Sequence, residues 1–455
     1  MNLVPLMPTF PLVSEETLRR YDVPAPRYTS YPTVPAWTGR IGPAAFAAAL
    51  GRAAKRPAAP LSTYVHIPFC RERCAFCGCN VVVTRSRSKA DRYLETLTRE
   101  MDTVAGLLGE RRALSQIHWG GGTPTYLDER QLETLWTALT NRFRVLPGAE
   151  VAIEIDPVVT SRSQLEVLRQ LGFNRISVGV QDLDPAVQKA IDRVQSVEET
   201  RAALDHARAL GFKGINFDLI YGLPLQTPLT WRRTLEQVLE MRPDRLAVYS
   251  FAHVPDVRKN QRRLPVAGIP RAGEKLELFR LAWEALTAAG YRQIGMDHFA
   301  VPEDELSLAQ GRRALGRNFQ GYTVQAATEV VAFGASAISD IGGLYAQNAH
   351  GLPRYQAAVE RGELAVERGV GLTTDDLRRR FIISQLMCNF WVDLREVPGF
   401  ERELARLAVL EREGLVLVRD REIEVTPLGR IFVRNVATVF DAYLEQQDQA
   451  FSRTV

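Results

Sequence analysis

Cys70-Arg-Glu-Arg-Cys74-Ala-Phe-Cys77-Gly-Cys79-Asn80 comes just after the β-branched and aromatic run Thr63-Tyr-Val-His-Ile67. A predicted strand ending in a cysteine-rich loop sets the reading of the whole chain. Four of the five cysteines fall in this loop, and the fifth, Cys388, is far away. A disulfide framework would space its cysteines differently and would need an oxidising compartment. The tight group therefore reads as metal or redox chemistry. The spacing C-x3-C-x2-C lets one short loop wrap three thiolates, Cys70, Cys74 and Cys77, around an iron–sulfur cube. Such cubes usually take four cysteines. Three leave one iron open, and an open metal position is where catalysis takes place. Cys79 keeps a second reading in play, a structural four-cysteine zinc or a closed cluster, because a turn around a metal need not alternate its side chains. Zinc fingers draw ligands from two separated pairs, and the sequence has no second pair. Cys388 lies in an apolar helical pattern with Phe381 and Ile382 and reads as a small buried hydrophobe.

Outward from the loop, short β-branched or aromatic runs alternate with helical ones. The predicted strands are Thr63–Ile67, Gln116–Trp119, Val151–Ile155, Arg175–Val178, Gly214–Leu219 and Arg245–Tyr249. Between them lie predicted helices at Lys89–Leu108, Glu129–Phe143, Ser161–Leu171, Val197–Leu210 and Leu229–Glu240. This rhythm implies an α/β protein of parallel strands joined by right-handed crossovers. Six such units suggest a barrel or part of one, with its chemistry at the C-terminal ends of the strands.

The strand ends carry polar or glycine-rich groups. The second is followed by Gly120-Gly121-Gly122-Thr123-Pro124, whose backbone N–H groups can meet a carboxylate. The third ends at Glu154 and Asp156, the fourth at Gly179-Val-Gln181-Asp182, the fifth at Asp218. Singly these read as caps or loop hydrogen bonds; in succession they read as a site. Phe76 and Ala252 could hold an adenine or could be core. Later come Met296-Asp-His298-Phe and Arg317-Asn-Phe-Gln-Gly-Tyr322, a mixture that suits a flat ring bearing carboxylates. His66 and His298 read equally as structural histidines or proton donors.

Residues 1–60 read as an N-terminal arm and helix. The arm holds Pro24, Pro26, Pro32 and Pro35 among Tyr28, Tyr31 and Trp37, so it should be extended; Ala44–Arg56 should be helical. Residues 61–365 form the barrel and its extension. Residues 366–455 form a mostly helical C-terminal domain, with helices at Asp375–Phe390, Glu401–Glu413 and Gly429–Glu445 and a hairpin of Leu415–Val418 and Glu422–Val425. That order resembles a winged helix, read here as a packing or lid module, with DNA binding as the alternative. Apolar residues make up 46% and charged residues 24% of 455, with no apolar run of membrane-spanning length. The apolar stretch Met1–Val13 lacks a basic flank and carries Pro5, Pro8 and Pro11, so a signal peptide is not expected. A cytoplasmic location follows as the expectation. The net charge of +4 carries no nucleic-acid inference; the excess of arginine over lysine fits a GC-rich genome as well as a substrate rich in carboxylates, which arginine's planar fork suits.

From Tyr64-Val-His-Ile-Pro-Phe-Cys70 through Asn80 the chain resembles the coproporphyrinogen III dehydrogenase branch of the radical S-adenosylmethionine (SAM) superfamily. His118-Trp-Gly-Gly-Gly-Thr-Pro-Thr125, Gly179-Val-Gln-Asp182, Asp218-Leu-Ile-Tyr-Gly-Leu-Pro224, Asp297-His-Phe-Ala300 and Arg317-Asn-Phe-Gln-Gly-Tyr-Thr323 extend the resemblance, and Phe451-Ser-Arg453 carries it to the C-terminus. The resemblance implies an incomplete (β/α)6-type barrel, a 4Fe-4S cluster on Cys70, Cys74 and Cys77 with one open iron site, and two SAM molecules. Tyr64, Gly121, Glu154 and Ile338 resemble contacts to the cluster-bound SAM. Phe76, Gly122, Thr123, Gln181, Arg193, Asp218 and Ala252 resemble contacts to the second. The implied reaction is oxygen-independent decarboxylation of two propionates of coproporphyrinogen III to vinyl groups in haem biosynthesis, started by a 5′-deoxyadenosyl radical. An outside electron donor and acceptor are expected, with no nucleic acid or membrane partner; the oligomeric state is open, with a monomer preferred. A haem-binding chaperone of the same superfamily is the rival; Gly78-Cys79-Asn80 and the arm at Tyr21–Trp37 resemble the dehydrogenase. No side chain stands out as a general acid.

Overall fold

In a computed structural model the chain is described over residues 9–324, 329–444 and 451–454. The predicted rhythm is present as parallel strands lying side by side in chain order: β1 (Leu61–Ile67), β2 (Ala113–Gly121), β3 (Arg144–Ile155), β4 (Arg175–Gln181), β5 (Gly214–Tyr221) and β6 (Arg245–Ser250). In β1 every residue but Tyr64 is buried, as in a strand covered on both faces. β4 alternates instead: Ile176, Val178 and Val180 are buried under helices, while Ser177, Gly179 and Gln181 turn to the other face, the barrel interior.

The crossover helices follow from apolar residues spaced by three and four. In Arg87–Leu108 the buried set includes Tyr93, Leu94, Leu97, Met101, Val104 and Leu108. Reciprocal capping boxes start four of the others, with Asp128 and Gln131, Ser161 and Gln164, Ser196 and Glu199, and Thr227 and Thr230 each satisfying the first turn. Between sheet and helices lies the main core. Trp119 is fully buried there, edge-on to Phe173 at 4.8 Å between ring centroids.

The sheet continues at both ends. β7 (Arg292–Ile294) and β8 (His298–Ala300) add antiparallel strands beside β6. On the other side β9 (Glu329–Phe333) lies parallel to β1, followed by antiparallel β10 (Ile338–Ile341), β11 (Leu344–Asn348) and β12 (Val366–Gly371). The twelve-stranded sheet ends at β12 and β7, so the barrel is incomplete.

Beyond it, helices Thr374–Asn389 and Glu401–Arg412 pack with a three-stranded sheet of Trp391–Asp393, Val416–Arg419 and Glu422–Val425. The predicted hairpin is there, and Trp391–Asp393 is an added strand. The predicted helix Gly429–Glu445 is not formed as one piece. Pro427–Ile431 and Val433–Thr438 are separate short helices, and Glu445 lies outside the described residues. Phe432, fully buried with φ −110° and ψ 25°, makes the break. The next turn then carries Arg434 inward onto the carbonyls of Ala25 and Pro26.

The arm is extended as its prolines require, after a short helix Glu15–Tyr21 capped by Ser14. Its Tyr21, Tyr28 and Tyr31 share a core with Ile382, Leu386, Phe432 and Val436, and Trp37 stacks on Tyr345 at 5.2 Å. Arg453 in the tail pairs with Asp22 at 2.7 Å. Cys388 is fully buried and packs in a group with Ala300 and Tyr322, as the apolar pattern around it predicts. Among the described residues no helix is long and apolar enough to cross a membrane.

Candidate active site

The loop after β1 is pinched at its base. Phe69–Cys70 pairs with Val82–Val83, and the Val82 N–H donates to the Pro68 carbonyl at 2.7 Å. His66 Nε2 lies 3.0 Å from the Asn80 carbonyl, which can only accept, so Nε2 carries the proton and Nδ1 faces the Tyr64 hydroxyl at 3.2 Å. Burial holds the His66 ring below its ordinary pKa. This histidine is a structural tie. Asn80 Nδ2 in turn donates to Ser336 Oγ and the His350 carbonyl, both at 2.9 Å.

The cysteines occupy the excursion between these ties, and with the ends of β2 to β6 they border a cavity of about 540 Å³. Phe76, Gly121, Gly122, Thr123, Glu154, Gln181, Arg193 and Asp218 also border it. Tyr64, Ala252 and Ile338 do not. Tyr64 stacks on His118 at 5.8 Å, Ala252 offers its carbonyl to Gln261, and Ile338 begins β10. Cys79 lines the cavity too, so the structure brings all four clustered thiols to one place.

Their electrostatics differ. Burial pushes the Cys70 thiol up to about 11, relieved in part by Thr123 Oγ1 at 3.5 Å. Burial also raises Cys74, against the guanidinium of Arg193 at 3.7 Å. Hydrogen bonding from Cys79, through its side chain and its N–H at 3.4 Å, outweighs burial and draws Cys77 down to about 6; Arg73 and Arg193 act the same way. Cys79, acting as donor, is raised. Among the described residues no three His, Cys, Asp or Glu side chains converge as one metal ion would need. An iron–sulfur cube carries its thiolates on separate irons, and thiolates spread along a cavity wall beside Arg73 and Arg193 fit it.

Arg193 reaches Asp156 at 3.0 Å and the Gly179 carbonyl at 2.8 Å, while its Nε is buried without a partner. A Cβ on Gly179 would fall 2.9 Å from Arg193 Nη2, so the glycine makes room for the guanidinium. Gln181 holds φ +66°, a costly backbone state for a non-glycine residue and one that gathers at functional sites.

The glycine run behaves differently from its sequence expectation. The Gly121 N–H donates to Glu154 at 3.1 Å, and those of Gly122 and Thr123 to the Ile67 and Phe69 carbonyls at 2.9 Å. These N–H groups are engaged within the protein, and the missing side chains make room for it too: a Cβ on Gly121, at φ +125°, would fall 2.8 Å from the His66 ring, and one on Gly122 2.8 Å from the Pro68 and Phe69 carbonyls. Burial would raise Glu154, but His118 at 3.1 Å and the Gly121 N–H outweigh it and keep the carboxylate ionised. Its side chain is 41% exposed, toward the cavity, so it can meet an ammonium group. Asp218 accepts from Ser177 and Asn216, each at 2.9 Å, yet burial and the nearby charge of Glu154 push it up to about 6. A second cavity of about 130 Å³ continues from Glu154 and Asp218 into the barrel, bordered by His298 and Gln320.

Sequence reasoning missed Ser177, Asn216 and Asn260. A signal existed for Asn216: it lies two residues before Asp218 on one strand and so shares its face, with Ser177 as its register partner. Asn260 had none.

The radical SAM superfamily model matches residues 64–238. The oxygen-independent coproporphyrinogen III oxidase of Salmonella typhimurium is 45% identical over 96% of this chain and 97% of the relative. That of Pseudomonas aeruginosa is 44% identical over 97% and 98%. Among solved structures, the Escherichia coli coproporphyrinogen III oxidase, described as a radical SAM enzyme, superposes with a TM-score of 0.90 at 44% identity over 95% of this chain and all of that one. The chain belongs to the oxygen-independent coproporphyrinogen III oxidase family of the radical SAM superfamily.

Proposed function

We propose that this chain is the oxidoreductase that converts two propionates of coproporphyrinogen III to vinyl groups without oxygen, giving protoporphyrinogen IX in haem biosynthesis. The observation that carries this is the set of Cys70, Cys74 and Cys77 on one cavity wall facing Glu154, Arg193 and Asp218, in a chain that matches the named oxidases end to end. Cys70, Cys74 and Cys77 hold a 4Fe-4S cluster. When bound, the cluster and SAM supply a radical able to take hydrogen from an unactivated C–H bond.

The chain's own residues bind and orient SAM. Glu154, ionised and open to the cavity, takes the ammonium of a cluster-bound SAM, with Tyr64 and Ile338 supporting that side and the Gly121 N–H holding the Glu154 carboxylate. Arg193, Asp218, Gln181, Thr123 and Gly122 would hold a second SAM, with Phe76 at its adenine and Ala252, off the cavity wall, supporting that side through the carbonyl it gives to Gln261. An electron donor and acceptor come from outside the chain, which works as a cytoplasmic monomer.

The test is anaerobic turnover. With SAM, a strong reductant and coproporphyrinogen III, a brown cluster-loaded protein should yield vinyl products, with 5′-deoxyadenosine formed alongside. Zinc in place of iron, or haem binding with no vinyl product, overturns the assignment.

A further inference from the structure

The cysteine loop is held from outside by a segment far from it in sequence. Lys259–Arg263 forms a short turn in the loop after β6. β6 and β1 are not neighbours in the sheet, so no ladder joins them, yet this turn lies across the loop that follows β1. Asn260 Nδ2 donates to the carbonyls of Cys74 at 3.3 Å, Ala75 at 2.9 Å and Cys77 at 3.0 Å. Gln261, 2% exposed, donates to the Phe76 and Ala252 carbonyls, each at 3.1 Å, and accepts the Val254 N–H at 2.6 Å. Arg263 Nη2 donates to the Arg73 carbonyl at 2.8 Å. Every carbonyl from Arg73 to Cys77 is therefore taken by a side chain of this one turn.

We infer that Lys259–Arg263 is a strap that sets the shape of the cluster loop, with Asn260 as its principal positioning residue. This rests on the reading of Cys70, Cys74 and Cys77 as cluster ligands. The loop is neither helix nor strand between its ties, so its carbonyls have no ladder to accept them. Each one left buried and unpaired would cost roughly 1–3 kcal/mol. Because the peptide unit is planar and trans, turning these carbonyls toward the strap turns the N–H groups of Phe76 and Gly78 away from it. Donors directed at cluster sulfurs raise a cluster's reduction potential. Asn260 also has two N–H bonds for three carbonyls, a demand that an isosteric carboxylate cannot meet at all. The strap thus does by side chains what strand pairing does elsewhere in the barrel: it joins the end of β6 to the end of β1, across the open side.

The test uses the full chain, reconstituted anaerobically with iron and sulfide, as wild type, Asn260→Ala, Asn260→Asp, Arg263→Ala and Cys74→Ala. Iron content, the rate at which a chelator bleaches the cluster, its midpoint potential and the melting temperature of the iron-free protein are read for each. Both Asn260 variants should lose the cluster about tenfold faster than wild type, the scale of outer-shell support for a metal site, and their potential should move to more negative values. Arg263→Ala gives up an exposed ion pair to Asp192 at 3.1 Å, worth little to the fold, and the hydrogen bond to the Arg73 carbonyl; it should melt close to wild type and lose the cluster about threefold faster. An Asn260→Asp protein that keeps wild-type bleaching and potential, while Cys74→Ala stays empty, overturns the strap alone; so does wild-type bleaching by Arg263→Ala if the Asn260 variants fail to fold. Iron in Cys74→Ala equal to wild type overturns the ligand reading and the strap with it.

Discussion

Asp218 and Asp297 are two buried aspartates of the same barrel, and their surroundings drive them in opposite directions. Asp218, on β5 at the catalytic rim, receives two neutral donors and faces another carboxylate, and burial lifts it to about 6. Asp297 lies just before β8, at the seam where arm, barrel and C-terminal body meet. There burial is overcome by His298 at 2.7 Å, by Arg317 and by Arg27 at 3.2 Å, and the carboxyl falls to about 2. The thiols divide by access and not by the direction of their shift, since burial raises Cys70 at the rim and Cys388 at the seam alike. Those of the rim border an open cavity, whereas Cys388 at the seam is sealed in and pushed up to about 12 by burial. At Asp297 the seam satisfies a buried carboxylate, although burial and Arg27 draw the neighbouring Arg434 down to about 9; at Asp218 the rim holds a carboxylate against its preference, as a binding site does when its partner is a ligand.

The largest expected effect is at the seam. Asp297→Asn would leave Arg27 and His298 facing a neutral amide, and breaking a buried pair of this kind costs roughly 3–5 kcal/mol. The lower end is expected, because the amide oxygen still accepts. Denaturant titration at neutral pH measures it, and a loss below about 1 kcal/mol would make the seam no better paired than an exposed ion pair. The sign of the pH effect follows from the depressed carboxyl. Its stabilisation is complete above the ordinary aspartate value near 4 and is lost as pH falls from there through about 2. Wild type and variant should therefore converge in stability in strong acid.

At the rim the same substitution should have the opposite sign. Asp218→Asn removes a carboxylate whose folded value is raised, so the charged form weakens the fold above about pH 6 and ceases to do so as pH falls toward 4. The variant should be more stable than wild type by about 2 kcal/mol at pH 7.5, and the difference should shrink at pH 5. It should also bind SAM more weakly, since Asp218 is assigned to the second SAM. Chemical denaturation at the two pH values, with equilibrium dialysis of labelled SAM, separates stability from binding. A destabilised variant would mean that Asp218 belongs to the scaffold and not to the site.

The rim was more legible in the sequence than the seam. Thr63–Ile67 and the cysteines that follow are contiguous, so strand, loop and ligands can be read in one stretch. Glu154 and Asp218 stand at the ends of β-branched runs, and resemblance supplied their role. The strap could not be read, because Asn260 and its partners lie 183 to 186 residues apart and the partners are backbone carbonyls, which leave no mark on a sequence. Short strands such as His298–Ala300 and Val366–Gly371 carry no clear alternation and form by adding to an existing sheet edge. The break at Phe432 is likewise tertiary, set by a buried ring and by Arg434 reaching the arm.

The smallest effect should come from the fifth cysteine. Cys388 has an ordinary buried environment beside Ser384 and the ring of Tyr322, and does not itself border the cysteine cavity. Cys388→Ala removes one sulfur from a packed position and should cost about 1 kcal/mol. Its iron content, SAM binding and turnover should match wild type, because Cys388 reaches the cysteine cavity only through the rings of Tyr322, His298 and Tyr249, which the substitution leaves in place. With a thiol value near 12 it should also resist alkylation in the native protein, while the loop thiols of iron-free protein react, Cys77 first because its hydrogen bonds favour the thiolate. Mass spectrometry of partially alkylated, iron-free protein gives that order directly. Early labelling at Cys388 would show that the seam opens on the same timescale as the rim, and the division between a satisfied region and a poised one would then fail in the native state.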